Sequence, residues 1–163
     1  MSTAITAEKT DTKTIALNSM KWACKTYLQD LQALPEDVFT KCFGGKARTI
    51  ADITYEVNLV NDHIGMILRG EEPFKWPKGD WIYAPEGFDT KEKVIAAFEE
   101  SSNRFIETIE GFSNEQLEET FLNQGKETTR FERCRFMAWH VAYHSGQLNF
   151  IQTLLGDDGW HWN

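Results

Sequence analysis

The sequence predicts an all-α protein built as a four-helix bundle. Three observations carry that prediction. Four long stretches repeat apolar residues every three or four positions. No stretch alternates convincingly with the two-residue period of a strand. All four prolines fall between the periodic stretches. A chain of 163 residues with 41% hydrophobic content can bury one full core without disulfides.

Residues 1–13, "MSTAITAEKTDTK", are small and polar and read as a loose tail; residues 14–163 read as one helical domain. The first helix, 14–34, aligns Leu17, Met20, Cys24, Tyr27, Leu31 and Leu34 in one stripe. "LPEDVFTKCFGGKA" then reads as a short helical turn and a Gly-Gly break. The second helix, 49–69, aligns Ile53, Val57, Val60, Ile64 and Ile67, with Thr49 as N-cap and Gly70 as stop. Residues 71–88, "EEPFKWPKGDWIYAPEGF", fit no period and hold three of the prolines and five aromatics; a long loop of this kind is often a binding loop, lid or crossover. The third helix, 90–111, turns Val94, Phe98, Phe105 and Ile109 inward, and "SNEQLEETF" follows as a capped turn. The fourth, 128–155, carries Phe136, Trp139, Tyr143, Gln147, Phe150, Ile151 and Leu154, and Gly156 ends it. No sheet is expected.

Composition narrows the partners. The net charge is −8 and no basic block appears, which excludes nucleic acid as the main partner. No run approaches the roughly 18–20 apolar residues of a membrane span, and the N-terminus lacks a signal-peptide core. Three cysteines, none in a CxxC, fit a reducing compartment, so the expectation is a cytoplasmic protein without a membrane partner.

"HVAYHSGQLNF", residues 140–150, places His140 and His144 four apart on a helix, one turn from each other on one face. Two imidazoles so spaced can hold one ion, as in the HExxH metalloproteases. The glutamate that follows the first histidine there is missing here, which excludes a protease of that type. On the second helix, Glu56 points along the apolar stripe, where a carboxylate needs a partner. A metal ion is one partner; an Arg or Lys from a neighbouring helix, or partial solvation, is the alternative. His63 competes as third ligand, but it lies seven residues from Glu56, about 10 Å along a helix axis. The two cannot share an ion. His161, between Trp160 and Trp162, reads as a surface histidine.

"HVAYHSGQLNFIQTLLGD" and "GGKARTIADITYEVNLV" resemble the fourth- and second-helix signatures of the DinB superfamily, the DinB/YfiT-like proteins. The first has the pattern His-x-x-x-His-x-Gly-Gln before an apolar run. The second has Gly-Gly, a polar cap at Thr49, and then a ligand position, which falls on Glu56. The likeness spans roughly residues 14–156. It implies an up-down-down-up bundle with a long connection between helices two and three, matching residues 71–88. It also implies a divalent metal, commonly zinc, nickel or iron, held by His140, His144 and a third residue. In this register Glu56 replaces the family's first histidine. Two histidines and a carboxylate with open positions suit catalytic zinc and non-haem iron.

Some members of that family transfer low-molecular-weight thiols, which implies a small-molecule substrate and a metal-activated thiol here. The same ion could activate water for hydrolysis, although no general base stands out beyond Glu56. A third alternative is a non-catalytic bundle that binds or dimerises through the aromatic loop 71–88 and the tail "GWHWN". Gln147 is open between a hydrogen bond at the site and a buried structural role. Tyr143 reads as core, Cys24 and Cys134 as packing residues. Similar proteins are commonly homodimers, and a homodimer is expected.

Overall fold

The computed structural model describes residues 11–79 and 81–163. Most of the tail expected at 1–13 therefore lies outside the described residues. Asp11 accepts from the Thr14 amide at 2.8 Å and caps the first helix, so the chain is helical from Thr12. The element order is α1 (Thr12–Ala33), a 3₁₀ turn (Glu36–Val38), α2 (Ile50–Leu68), α3 (Lys91–Glu110), α4 (Asn114–Glu118), β1 (Thr120–Asn123), β2 (Lys126–Thr129) and α5 (Arg130–Leu154). Thr49 caps α2 as the sequence predicts, in a reciprocal capping box with Asp52. Among the described residues no helix is long and apolar enough to cross a membrane.

The four long helices form the core. α1 packs on α5 and α3, and α2 packs on α3 and α5. Met20, Tyr27 and Leu31 of α1 meet Val57 of α2, Phe98 and Phe105 of α3, and Met137, Val141 and Leu148 of α5 in one buried cluster. The buried Tyr27 hydroxyl is satisfied by Thr54 Oγ1 at 2.9 Å.

Two expectations are corrected. The first is the absence of a sheet. β1 and β2 pair antiparallel, Thr120 opposite Thr129 and Asn123 opposite Lys126. Gln124 (φ 53°) and Gly125 (φ 77°) make a two-residue turn with both central residues left-handed, the geometry that matches the twist of paired strands. The hairpin takes residues 128 and 129 from the expected start of the last helix, and Thr129 instead caps α5 in a box with Glu132. Arg130 anchors the hairpin to the bundle. It donates to the Leu68 and Gln116 carbonyls and lies over Phe112 and Phe121.

The second correction is the inward face of α5. Of the residues expected there, only Ile151 is buried; Trp139 is 63% exposed and Tyr143 53%, with Phe136, Phe150 and Leu154 exposed too. The buried face is Cys134, Met137, Ala138, Val141, His144, Ser145, Leu148, Ile151 and Gln152. Small and aliphatic side chains let α1 approach closely, while the aromatics form a second apolar row that faces outward. Phe136, Trp139 and Tyr143 run along it ring to ring, 6.0 and 5.9 Å apart.

After α5 the chain returns to α1. Trp162 Nε1 donates to Asp30 Oδ1 at 2.9 Å, and its ring meets Trp22 edge-on at 5.6 Å. Ser145 donates to the other Asp30 oxygen, and Gln152 donates to the Asp30 carbonyl.

Candidate metal centre

α5 and α2 bring three ligand-capable side chains together. One ligand atom from each of Glu56, His140 and His144 lies within 4.8 Å of the others. The one-turn spacing on α5 sets His140 Nε2 3.2 Å from His144 Nε2. Bonds of about 2.0–2.2 Å around a tetrahedral ion would separate ligand atoms by roughly 3.5 Å, so the pair has the reach for a shared ion. His63 is elsewhere. Its ring packs edge-on to Phe74 at 5.0 Å and Trp76 at 5.3 Å, under the loop between α2 and α3. His161 pairs with Asp157 at 2.9 Å.

His144 is 2% exposed, and Gln147 Oε1 accepts from its Nδ1 at 2.8 Å. That bond places the proton on Nδ1 and leaves the Nε2 lone pair facing His140 and Glu56. An imidazole oriented through its other nitrogen is the usual support of a metal ligand. Gln147 is thus at the site. His140 is held by packing on Phe136, ring centroids 6.0 Å apart, and its Nδ1 is buried without a hydrogen-bond partner. Burial lowers His140 to a pKa of about 3, with His144 and then Arg48 adding repulsion. Burial lowers His144 to about 4, opposed by the Gln147 hydrogen bond and reinforced by Arg48. Both rings are therefore neutral at physiological pH, the form that ligates. Two neutral imidazoles and a carboxylate, one imidazole oriented from behind, fit a divalent ion.

Sequence reasoning missed two residues. Arg48, just before the Thr49 cap, contacts the Glu56 carboxylate, and its side chain is only 9% exposed. Trp81, from the loop between α2 and α3, covers the guanidinium with its ring centroid 5.0 Å away. Asp52 holds that loop down by accepting the Ala84 amide at 2.7 Å. The sequence leaves Glu56 open between a metal and a basic partner. The basic partner present comes from the loop that leads into the same helix, where no helical spacing reveals it.

The buried thiols are not poised for chemistry. Burial raises Cys24 to about 11 and Cys134 to about 12, as packing residues require. Cys42 is exposed, and all three cysteines are free.

The bundle is similar to a crystal structure described as the conserved protein of locus from Enterococcus faecalis. The TM-score is 0.71 at 14% identity, over 91% of this chain and 99% of that one, a likeness of fold. No curated protein matches the chain. The DinB superfamily model matches residues 20–148, a span that takes in Glu56, His140, His144 and Gln147. With most of its length inside that match, the chain belongs to the DinB superfamily, a metal-binding family.

Proposed function

We propose that Glu56, His140 and His144 hold one divalent metal ion, and that the chain uses it to transfer a small thiol to an electrophilic substrate. The observation that carries this reading is the convergence of the three donors, with Gln147 orienting His144. When bound, such an ion lowers the pKa of a thiol or water at an open position. Zinc, nickel and iron all suit this donor set. In the transfer the thiol gives its proton to solvent, its sulfur bonds the electrophilic carbon, and the leaving group departs with the bonding pair. The residues of this chain supply the cavity and its charges; Cys24 and Cys134 take no part, because they are buried and protonated, and Cys42 does not line the cavity.

Hydrolysis is the alternative. It is less well supported, because no Asp or Glu among the described residues lines the cavity beside the centre that could serve as its base. We infer an up-down-down-up order for the helices, supported by the long connection between the neighbouring helices α2 and α3. A cytoplasmic location fits three free cysteines. We also infer a homodimer, in which the exposed rings of Phe136 and Trp139, flanked by Trp22, are covered by a second copy.

Elemental analysis of the purified chain, followed by its reaction with chlorodinitrobenzene in the presence of cysteine, tests the function. A stoichiometric metal and thiol-dependent chloride release that Glu56→Gln lowers support it. Thiol-independent hydrolysis of ester substrates points to the hydrolase, and absence of metal to a non-catalytic bundle.

A further inference from the structure

A cavity of about 450 Å³ opens beside the candidate centre, lined by Lys46, Arg48, Trp81, Tyr143, Gln147 and Phe150 among others. Its charge is unlike that of the rest of the protein. The chain carries 25 acidic against 17 basic residues, yet this cavity has two cations and no carboxylate among the described residues that line it. An adjoining hollow, which shares Lys46, Arg48 and Trp81 with the cavity, includes Asp52, whose oxygens are already taken by the α2 cap and the Ala84 amide. Three aromatic rings complete the lining, so the cavity offers one charged end and flat apolar walls.

Arg48 is the unusual member. A buried guanidinium needs a counter-charge, and here it has the Glu56 carboxylate, one of the three converging donors. Its remaining polar contact is a long one, 3.5 Å to Gln147 Oε1, and that oxygen already accepts from His144 at 2.8 Å. Glu56 cannot give its lone pairs fully both to Arg48 and to an ion. Once Glu56 turns to an ion, Arg48 is left buried under Trp81 with only Asp52 nearby, a carboxylate whose oxygens are engaged by Thr49 and the Ala84 amide.

We propose that this cavity binds a small organic carboxylate with a flat apolar body, and that Arg48 exchanges partners, from Glu56 in the free protein to the ligand's carboxylate when the centre is loaded. This rests on the metal reading above and adds the substrate class to it. A planar guanidinium suits a carboxylate bidentately, and Trp81 restricts it to that orientation. Trp81, Tyr143 and Phe150 receive the apolar body. Lys46, at the exposed rim, adds attraction without a fixed geometry. Two ligands that each relieve the other's cost bind with positive linkage: metal and carboxylate raise each other's affinity.

Isothermal titration of the full chain with zinc and with benzoate tests it, with benzamide as the uncharged control. Zinc-loaded wild type is expected to bind benzoate about tenfold tighter than metal-free wild type, the size of an ordinary coupling between sites. Arg48→Gln is expected to bind zinc about threefold or more tighter than wild type, because Glu56 is no longer engaged, and to lose the benzoate gain. Arg48→Lys keeps the charge in a similar volume; part of the gain should remain, and it serves as the reading if Arg48→Gln fails to fold. Benzamide should show no gain. A benzoate gain that survives in Arg48→Gln, or an equal gain for benzamide, overturns the proposal while leaving the metal centre standing. Failure of wild type to bind zinc overturns both.

Discussion

Asp30 and Glu56 are two carboxylates in the interior of one bundle, and they are handled in opposite ways. Asp30 is 1% exposed and takes only neutral donors: Ser145 from α5 on one oxygen and Trp162 from the C-terminal segment on the other. Glu56 keeps 22% of its side chain exposed and has a single charged partner, Arg48, on a loop. Three chain segments converge on Asp30, so moving it would break several hydrogen bonds at once. Glu56 can change partner by one side-chain movement. The carboxylate enclosed by neutral donors is a fastening, and the one held by an exchangeable ion pair is available as a ligand.

The largest expected effect lies on the Glu56 side. His140→Ala or His144→Ala should reduce zinc affinity by at least about a hundredfold, since two remaining donors hold an ion poorly. His63→Ala and His161→Ala should leave it nearly unchanged, because their rings lie on Phe74 and Trp76 and on Asp157. Equilibrium dialysis with elemental analysis checks all four variants. An emptied site in His63→Ala with an intact one in Glu56→Gln would make His63, not Glu56, the ligand that α2 supplies.

The next effect separates stability from binding. Asp30→Ala leaves a buried hydroxyl and an indole N–H without acceptors, at a cost of about 3 kcal/mol in urea unfolding. Zinc affinity should not change. Glu56→Gln should shift the balance the other way: it weakens zinc binding by about tenfold or more and costs less in unfolding than Asp30→Ala, about 1–2 kcal/mol, because Arg48 loses its counter-charge at a partly solvated pair while the side chain keeps its shape. If both variants lose stability equally, the contrast between fastening and ligand fails.

The two sites were not equally legible in the sequence. His140 and His144 announce themselves, because a four-residue interval on a helix is a statement about space. Glu56 shows as a polar residue interrupting a stripe. Arg48 does not show, since its approach to Glu56 depends on the path of the Gly44–Gly45 loop, where both glycines have positive φ. Asp30 lies off the α1 stripe, and its partners come from 115 and 132 residues away. The fold itself was legible wherever caps and apolar spacing agree, as at Thr49 and along α3. It was misread on α5, whose aromatics and small residues form two rows at the same period. Burial is decided there by how closely α1 must approach, which the period does not encode. The β1–β2 hairpin left a local signal in "NQGK", a glycine-containing two-residue turn between short runs that include Thr and Phe.

The pH dependence of Asp30 sharpens the contrast further. Burial raises its pKa above 3.8, more than the Ser145 and Trp162 hydrogen bonds lower it. The folded protein therefore holds that proton more tightly than the unfolded chain. The stabilisation is fully present below the unfolded pKa and is lost as pH rises through the folded one. Asp30→Asn, which imitates the protonated form, should remove this component. Urea unfolding of the two proteins from pH 3.5 upward, a range of about three units, is the measurement. Wild type should lose stability relative to Asp30→Asn across the acid window and run parallel to it above. A wild type that gains on the variant as pH rises would mean that the hydrogen bonds outweigh burial.

The smallest effect isolates one strand of the fastening. Trp162→Phe removes the indole N–H that reaches Asp30 and keeps an aromatic ring against Trp22. Asp30 Oδ1 then has no protein donor from the C-terminal segment, while Oδ2 keeps Ser145. Loss of one hydrogen bond to a buried acceptor costs about 1 kcal/mol, a little more if no water replaces it. Ser145 follows His144 on α5, so any slackening there would pass to the centre through the helix backbone. Because Ser145 and Gln152 still hold α5 to Asp30, zinc affinity should stay within about twofold of wild type. A variant that is destabilised by about 1 kcal/mol and binds zinc normally shows the two carboxylates to be independent. A fall in zinc affinity that matches the loss of stability would instead make Asp30 part of the metal centre, acting through Ser145 on the histidine beside it.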